Sequence, residues 1–203
     1  MPSPALSRLD APGARSAVLL LHGGQQRSDR PVDGRSASWQ LMRWLQRDVA
    51  SVALGQRASV WAVRYAVRGW NHGKPVADAR WALDEIRAEL GEVPVVLLGH
   101  SMGGRVALHA ADDPSVVGVV ALAPWIVEDT PVSTLAGRRL VAAHGRRDRL
   151  TSYAATRAYV DRAARVADSA EFVDMGGLGH YLLRGHARWR RLAVERSLGL
   201  VGD

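Results

Sequence analysis

Residues 93–104, Val-Pro-Val-Val-Leu-Leu-Gly-His-Ser-Met-Gly-Gly, constrain the fold of this chain more than any other stretch. An apolar run ends at Gly99, a serine follows two residues later, and two glycines precede a helical pattern over Arg105–Ala111. A strand must therefore turn sharply into a helix with Ser101 at the bend. A bend this tight strains the serine backbone. Side chains two residues before and after would collide, so Gly99 and Gly103 leave room. The strain aims the Ser101 hydroxyl away from the main chain, and the new helix offers an N–H group without an intrahelical acceptor. With 20 glycines in 203 residues, G-x-S-x-G arises by chance in about one such chain in ten, so the flanking strand and helix carry the inference.

The rest of the chain supplies more strands of the same kind. Apolar runs over Ala17–Leu21, Ser59–Val67, Val93–Leu98, Val116–Ala123, Arg139–Ala143 and Ala170–Met175 predict about six. Helical spacing falls between them, over Ser38–Leu54, Pro75–Leu90, Arg105–Ala111, Tyr153–Val166 and Ala187–Leu198. In the first of these Trp39, Met42, Leu45 and Val49 share a face, with Trp44 off that stripe. In the second, Pro75 suits the start and Gly91 the end. Strands apolar throughout and alternating with helices predict an α/β fold: a mostly parallel sheet covered by helices on both faces. Residues 1–16 read as a loose lead-in and 17–203 as a single domain. Active sites in such sheets lie at the carboxyl ends of the strands, and His22, Ser101, Trp125, Asp148 and His180 all fall there.

Composition removes several function classes. There is no cysteine, which excludes disulfides and thiolate metal sites. Met1–Arg15 has three prolines and no apolar core of a secretory signal. Val116–Val127 is too short for a span of about 20 residues. The expectation is a cytoplasmic protein with no membrane span. The net charge of +7 comes from arginine, Lys74 being the only lysine. The arginines are scattered without interleaved aromatics, so a solvated surface is preferred to a nucleic-acid partner. Arg138, Arg139, Arg146, Arg147 and Arg149 form one local excess. No metal site or cofactor is implied by the spacing of histidines and carboxylates. The composition leaves the oligomeric state open.

A serine hydroxyl is a poor nucleophile at neutral pH and needs a base. Histidine suits that task, and an acid fixes its tautomer and stabilises the imidazolium. Asp148 in His144-Gly145-Arg146-Arg147-Asp148 and His180 in Gly179-His180-Tyr181 each follow a separate predicted strand.

With His22-Gly23-Gly24, Gly99-His100-Ser101-Met102-Gly103-Gly104, His144-Gly145-x-x-Asp148 and Gly179-His180 on the page, the chain resembles a small α/β-hydrolase over residues 17–198. The resemblance implies a triad of Ser101, Asp148 and His180, in that family's chain order. It also implies an oxyanion hole from the N–H groups of Gly24 (or Gln25) and Met102. Two departures stand out. The hairpin that usually opens the family fold has only about 16 residues available, so it is lost or vestigial. The 14 residues Trp125–Arg138 suffice for a loop and not for a cap, so an open site is expected.

Rival assignments remain. Glu128 and Asp129 occupy a place where some relatives carry the acid. Asp174 reads as a strand-end residue, and His100, His144 and His109 as packing or turn residues. Gln25, Trp70 and Trp125 are candidates for substrate binding, although either indole can equally plug the sheet end. Arg146, Arg147 and Arg149 can make the mouth electropositive and favour anionic substrates. The expected activity is hydrolysis of carboxylic esters through an acyl-enzyme on Ser101. A thioesterase or acyltransferase uses the same parts, and a hydrolase-fold binding protein with an idle triad is the reading from another class.

Overall fold

The computed structural model describes residues 2–202. Its strands are β1 (Ala5–Leu9), β2 (Ser16–Leu21), β3 (Ala58–Arg64), β4 (Val95–His100), β5 (Val116–Leu122), β6 (Arg139–His144) and β7 (Ser169–Asp174). They form one sheet in the order β1-β3-β2-β4-β5-β6-β7, parallel except for β1. The helices are α1 (Ala37–Ala53), α2 (Lys74–Leu90), α3 (Met102–Ala110), α4 (Tyr153–Ala163) and α5 (His186–Gly202).

Every residue of β2 and of β4 is buried, which only a sheet covered on both faces allows. Helices α1 and α5 pack together over one face, α2 and α3 over the other, and α4 lies on β6 and β7. Helix α1 buries Trp39, Met42, Leu45 and Val49, the stripe its spacing predicts. Helix α2 carries Pro75 in its first turn and stops at Gly91, whose φ of 79° a side chain would resist. Between β5 and β6 there is only a loop with one 3-10 turn, Ser133–Leu135, and no cap. Among the described residues no helix is long and apolar enough to cross a membrane.

The N-terminal segment corrects an expectation. Ala5–Leu9, within the stretch expected as a loose lead-in, is a strand that pairs antiparallel with β3, from Ala5 opposite Arg64 to Leu9 opposite Val60, and is what the chain keeps of the opening hairpin. The sheet therefore has seven strands rather than six. Contacts from distant parts of the chain hold β1. The buried Gln46 of α1 donates through Nε2 to the carbonyls of Ser7 (3.0 Å) and Val60 (2.7 Å). Its Oε1 accepts from the Ser7 hydroxyl at 2.9 Å. The Arg8 guanidinium lies 4.2 Å over the Trp61 ring, and the Trp61 indole donates to Asp10 at 2.6 Å. Helix α3 also starts earlier than its apolar spacing suggests, directly after Ser101.

Replacing Gln46 with alanine removes the donor for two carbonyls and leaves a gap beneath β1. The expected cost is about 2–4 kcal/mol in urea denaturation. A cost below about 0.5 kcal/mol would mean that β1 is held without it.

Candidate active site

Ser101 sits between β4 and α3 with φ 57° and ψ −120°, a conformation L side chains rarely adopt. Its surroundings force it. A Cβ on Gly99 would overlap the Gly103 carbonyl, and one on Gly103 would overlap the Leu21 carbonyl at the end of β2. Both glycines are thus required, the second by its approach to the neighbouring strand. Main-chain bonds fix the turn. The Ser101 N–H donates to Leu122 at 3.0 Å, and the Ser101 carbonyl accepts from Gly104 and Trp125, each at 3.0 Å. Met102, the first residue of α3, has no intrahelical acceptor for its N–H.

The structure brings Ser101, His180 and Asp148 together from three strand ends. His180 Nε2 lies 3.0 Å from Ser101 Oγ, and His180 Nδ1 lies 2.7 Å from Asp148 Oδ2. An ionised carboxylate only accepts, so Nδ1 carries the proton and Nε2 faces the serine with its lone pair. The Asp148 side chain is fully buried. Burial alone would raise its pKa. Hydrogen bonds from His144 and His180 and from the N–H groups of Thr151 (2.9 Å) and Leu150 (2.7 Å) outweigh that, and the carboxyl is held well below the usual range. It stays an acceptor throughout the physiological range.

Three neighbours of this relay were not singled out as site residues by sequence reasoning. The Thr151 hydroxyl lies 2.9 Å from Asp148 Oδ2 and 3.1 Å from His180 Nδ1. The buried His144 brings Nε2 to 3.1 Å from Asp148 Oδ2, with Nδ1 2.8 Å from the Thr156 hydroxyl. His100 donates from Nε2 to the His180 carbonyl at 3.0 Å, which places the loop carrying that histidine. The signal for Thr151 was present in Asp-x-x-Thr, a spacing that lets an aspartate accept from the main chain two and three residues on.

The loop after β2 is equally fixed. The buried His22 donates from Nδ1 to Gly23 at 2.6 Å and accepts the Tyr65 N–H on Nε2 at 3.2 Å. A Cβ on Gly24 would meet the Arg68 carbonyl at 2.5 Å and also the Met102 side chain, so only glycine fits between them. The Gln25 N–H donates to the Arg68 carbonyl at 2.8 Å. Of the two candidate amides on this loop, that leaves Gly24. The stretch Arg68–Asn71 buttresses the loop: Trp70 and Asn71 donate main-chain N–H bonds to Gln25 and Gln26, and Gly69 to Ser28.

These elements line an open cleft of about 1060 Å³ that reaches Ser101, with Gln25 and Trp125 in its wall. Trp70 is not in that wall. Its indole packs 4.2 Å from the Arg105 guanidinium, which also lies 4.6 Å over the Trp125 ring and pairs with Asp129 at 3.0 Å. The Trp70 ring is thus packed against the cation of α3 rather than along the cleft. The same contact engages the rival acid Asp129, while Asp174 pairs with Arg146 at 2.8 Å. Arg138 and Arg139 bond to main-chain carbonyls, including those of Ala111 and Leu200. None of Arg146, Arg147 and Arg149 lines the cleft, whose one arginine, Arg68, is bonded to Asp33 at 3.2 Å.

A doubly covered parallel sheet with a strained serine, a histidine and a buried carboxylate at adjoining strand ends is the arrangement of an α/β hydrolase. Residues 18–200 match the alpha/beta hydrolase family, and the chain belongs to it as a small member without a cap. No curated protein sequence matches the chain. Solved structures similar to it include an alpha-beta serine hydrolase homologue from Coxiella burnetii, with TM-score 0.70 at 16% identity over 95% of this chain and 90% of that one. Est1E from Butyrivibrio proteoclasticus superposes with TM-score 0.71 at 14% identity, covering 98% of this chain and 94% of that one. A serine hydrolase without a lid from Xanthomonas campestris gives TM-score 0.66 at 16% identity, covering 97% and 94%.

Two buried histidines make stability pH-dependent. Burial pushes His22 and His100 each down to about 4. The unfolded chain, titrating near the ordinary 6.5, binds protons first. Their contribution is therefore complete above pH 6.5 and is lost as pH falls toward 4. The slope should be about 1.4 kcal/mol per pH unit for each histidine. The Asp148 contribution disappears only at lower pH. Urea denaturation at a series of pH values should show this slope, and His100→Gln should remove about half of it. A stability flat between pH 6.5 and 4.5 would contradict the assignment of neutral buried histidines.

Proposed function

We propose that this protein is a serine hydrolase that cleaves carboxylic esters through an acyl-enzyme on Ser101. The observation that carries the reading is the hydrogen-bonded line from Ser101 Oγ through His180 to the buried Asp148, with the imidazole lone pair on the serine side. Ser101 attacks the ester carbonyl as His180 Nε2 takes its proton, and Asp148 stabilises the resulting imidazolium. The oxyanion that forms is received by the N–H groups of Met102 and Gly24. Support for this pair is that the N–H groups of Ser101 and Gln25 are already bonded, to Leu122 and Arg68. The tetrahedral intermediate collapses, the ester C–O bond breaks, and His180 gives its proton to the leaving alkoxide. Water then enters from the open cleft and bonds to the acyl carbon as the same nitrogen takes its proton; the acyl–Oγ bond breaks, His180 returns the proton to Oγ, and the acid leaves.

Thioesters and transfer to another acceptor use the same groups, and the reading from another class, an idle site, needs none of them. A fluorophosphonate probe separates an active site from an idle one. Wild type should label, while Ser101→Ala and His180→Ala should not. On a panel of acyl esters and thioesters, either substitution should lower kcat/KM by about 10³-fold or more. Asp148→Asn should also cost orders of magnitude, since an amide NH₂ in place of Oδ2 no longer enforces the Nδ1–H tautomer. Absence of labelling in a folded wild type would favour the idle-site reading.

A further inference from the structure

Apolar exposure on this protein is concentrated at one place. Five large apolar side chains are exposed among the described residues, and the three most exposed, Leu150 (61%), Tyr181 (62%) and Leu183 (68%), all line the mouth of the cleft. Half-buried Leu41, Trp44 and Trp125 continue the same surface inward. A soluble surface seldom gathers its large apolar side chains at one spot unless something covers them.

Charge says what covers them. No acidic residue lines the cleft, although the chain has 20 Asp and Glu. Nor does any acid stand next in the chain to a lining residue. Arginine takes those neighbouring positions instead. Arg27 follows Gln26, Arg35 precedes Ser36, Arg149 precedes Leu150 and Arg184 follows Leu183. All four are exposed and have no ion pair among the described residues. The two acids on the loop between β2 and α1, Asp29 and Asp33, are paired with Lys74 and Arg68. An apolar rim with uncompensated cations around it is the arrangement that settles into a headgroup layer. The apolar side chains enter the acyl boundary, and the arginines meet phosphate.

We propose that the mouth of the cleft docks on an anionic lipid surface, with Leu150, Tyr181 and Leu183 inserted and Arg27, Arg35, Arg149 and Arg184 on the headgroups. An ester held in that surface then enters the cleft without crossing water. No cap intervenes, because the β5–β6 connection is a loop. Docking is independent of whether Ser101 reacts, so it is read separately from the proposed hydrolysis.

The test uses full-length Ser101→Ala protein and cosedimentation with vesicles of phosphatidylcholine, alone or with about a third phosphatidylglycerol. Binding is expected to the anionic vesicles only, and it should fall at about 0.5 M salt. In single variants each arginine changed to glutamine should weaken partitioning about fivefold, and all four together by a hundredfold or more. Leu183→Ser should weaken it without altering the salt dependence. With Ser101 restored, the fourfold arginine variant should hydrolyse a short neutral soluble ester at the wild-type rate. Equal binding to both vesicle types, no binding to either, or binding insensitive to the arginines would overturn the proposal. A preference for soluble anionic over neutral esters of equal acyl length, without vesicle binding, would overturn it in favour of a dissolved anionic substrate.

Discussion

The close approach of α3 to the ends of β2 and β4 is the contact on which the rest of the site depends. The first turn of the helix sits so near the Leu21 carbonyl that no side chain fits at residue 103, and so near β4 that none fits at 99. Ser101 takes a positive φ because the chain has no other way to turn within that space. A second strained residue completes the arrangement. Ala123 follows β5 with φ 43° and leads into Pro124, whose Cβ would stand 2.8 Å from a side-chain carbon at Gly104. The next residue, Trp125, donates its N–H to the Ser101 carbonyl. Two strained turns thus brace each other through two hydrogen bonds, this one and that from the Ser101 N–H to Leu122. Strain of about 1–3 kcal/mol at each persists because the buried strands on either side leave no relaxed alternative.

The buried carboxylate is the second constraint, and it is electrostatic. Placing Asp148 out of contact with water is costly unless its oxygens are satisfied. One oxygen takes two main-chain N–H bonds, from Leu150 and Thr151. The other has His180, His144 and the Thr151 hydroxyl around it. Because these donors come from β6, the following turn and the loop after β7, the acid also ties three segments together. His144 therefore has a role beyond shaping its turn. It shares the oxygen that orients His180, so the strength of the His180 contact is set partly by a residue that never meets the cleft. His100 acts from the other side, holding the main chain of His180 rather than its ring. The His180 ring is held by the Asp148 carboxylate and its main chain by His100, so the negative charge lies at the nitrogen where it can stabilise an imidazolium.

Much of this was legible in the residues because the features involved are local. Gly99, Gly103, Gly24 and the apolar runs before them record backbone geometry that few other residues satisfy, and Asp148 and His180 stand out as polar residues just past apolar strands. What was not legible depends on distant contacts. Ala5–Leu9 is flanked by prolines and has little apolar alternation, and its strand exists because Gln46 and β3 supply partners from 39 residues and more away. Trp70 looks like a cleft residue from its position after a strand, yet the cation of Arg105, placed by α3, draws it away. Gln25 and Gly24 are interchangeable candidates for the proposed oxyanion hole until the Arg68 carbonyl is seen to engage the Gln25 N–H.

The cleft is thus made of two materials. Near Ser101 it consists of main chain held by reciprocal hydrogen bonds between the Gln25–Ser28 and Arg68–Asn71 stretches, and by glycines that admit no other residue. Farther out it consists of long apolar side chains with water on one side. In the proposed reaction a rigid inner end fixes the reacting carbonyl and the developing charge, which is where precision lowers the barrier. The outer end contributes contact area without a closed shape, and each further methylene of a substrate changes its binding there by about 1 kcal/mol or less. For the proposed hydrolysis, chemistry and selectivity are therefore separable in this fold. The first resides in turns that tolerate almost no substitution, and the second in a rim that can be repainted without disturbing the relay behind it.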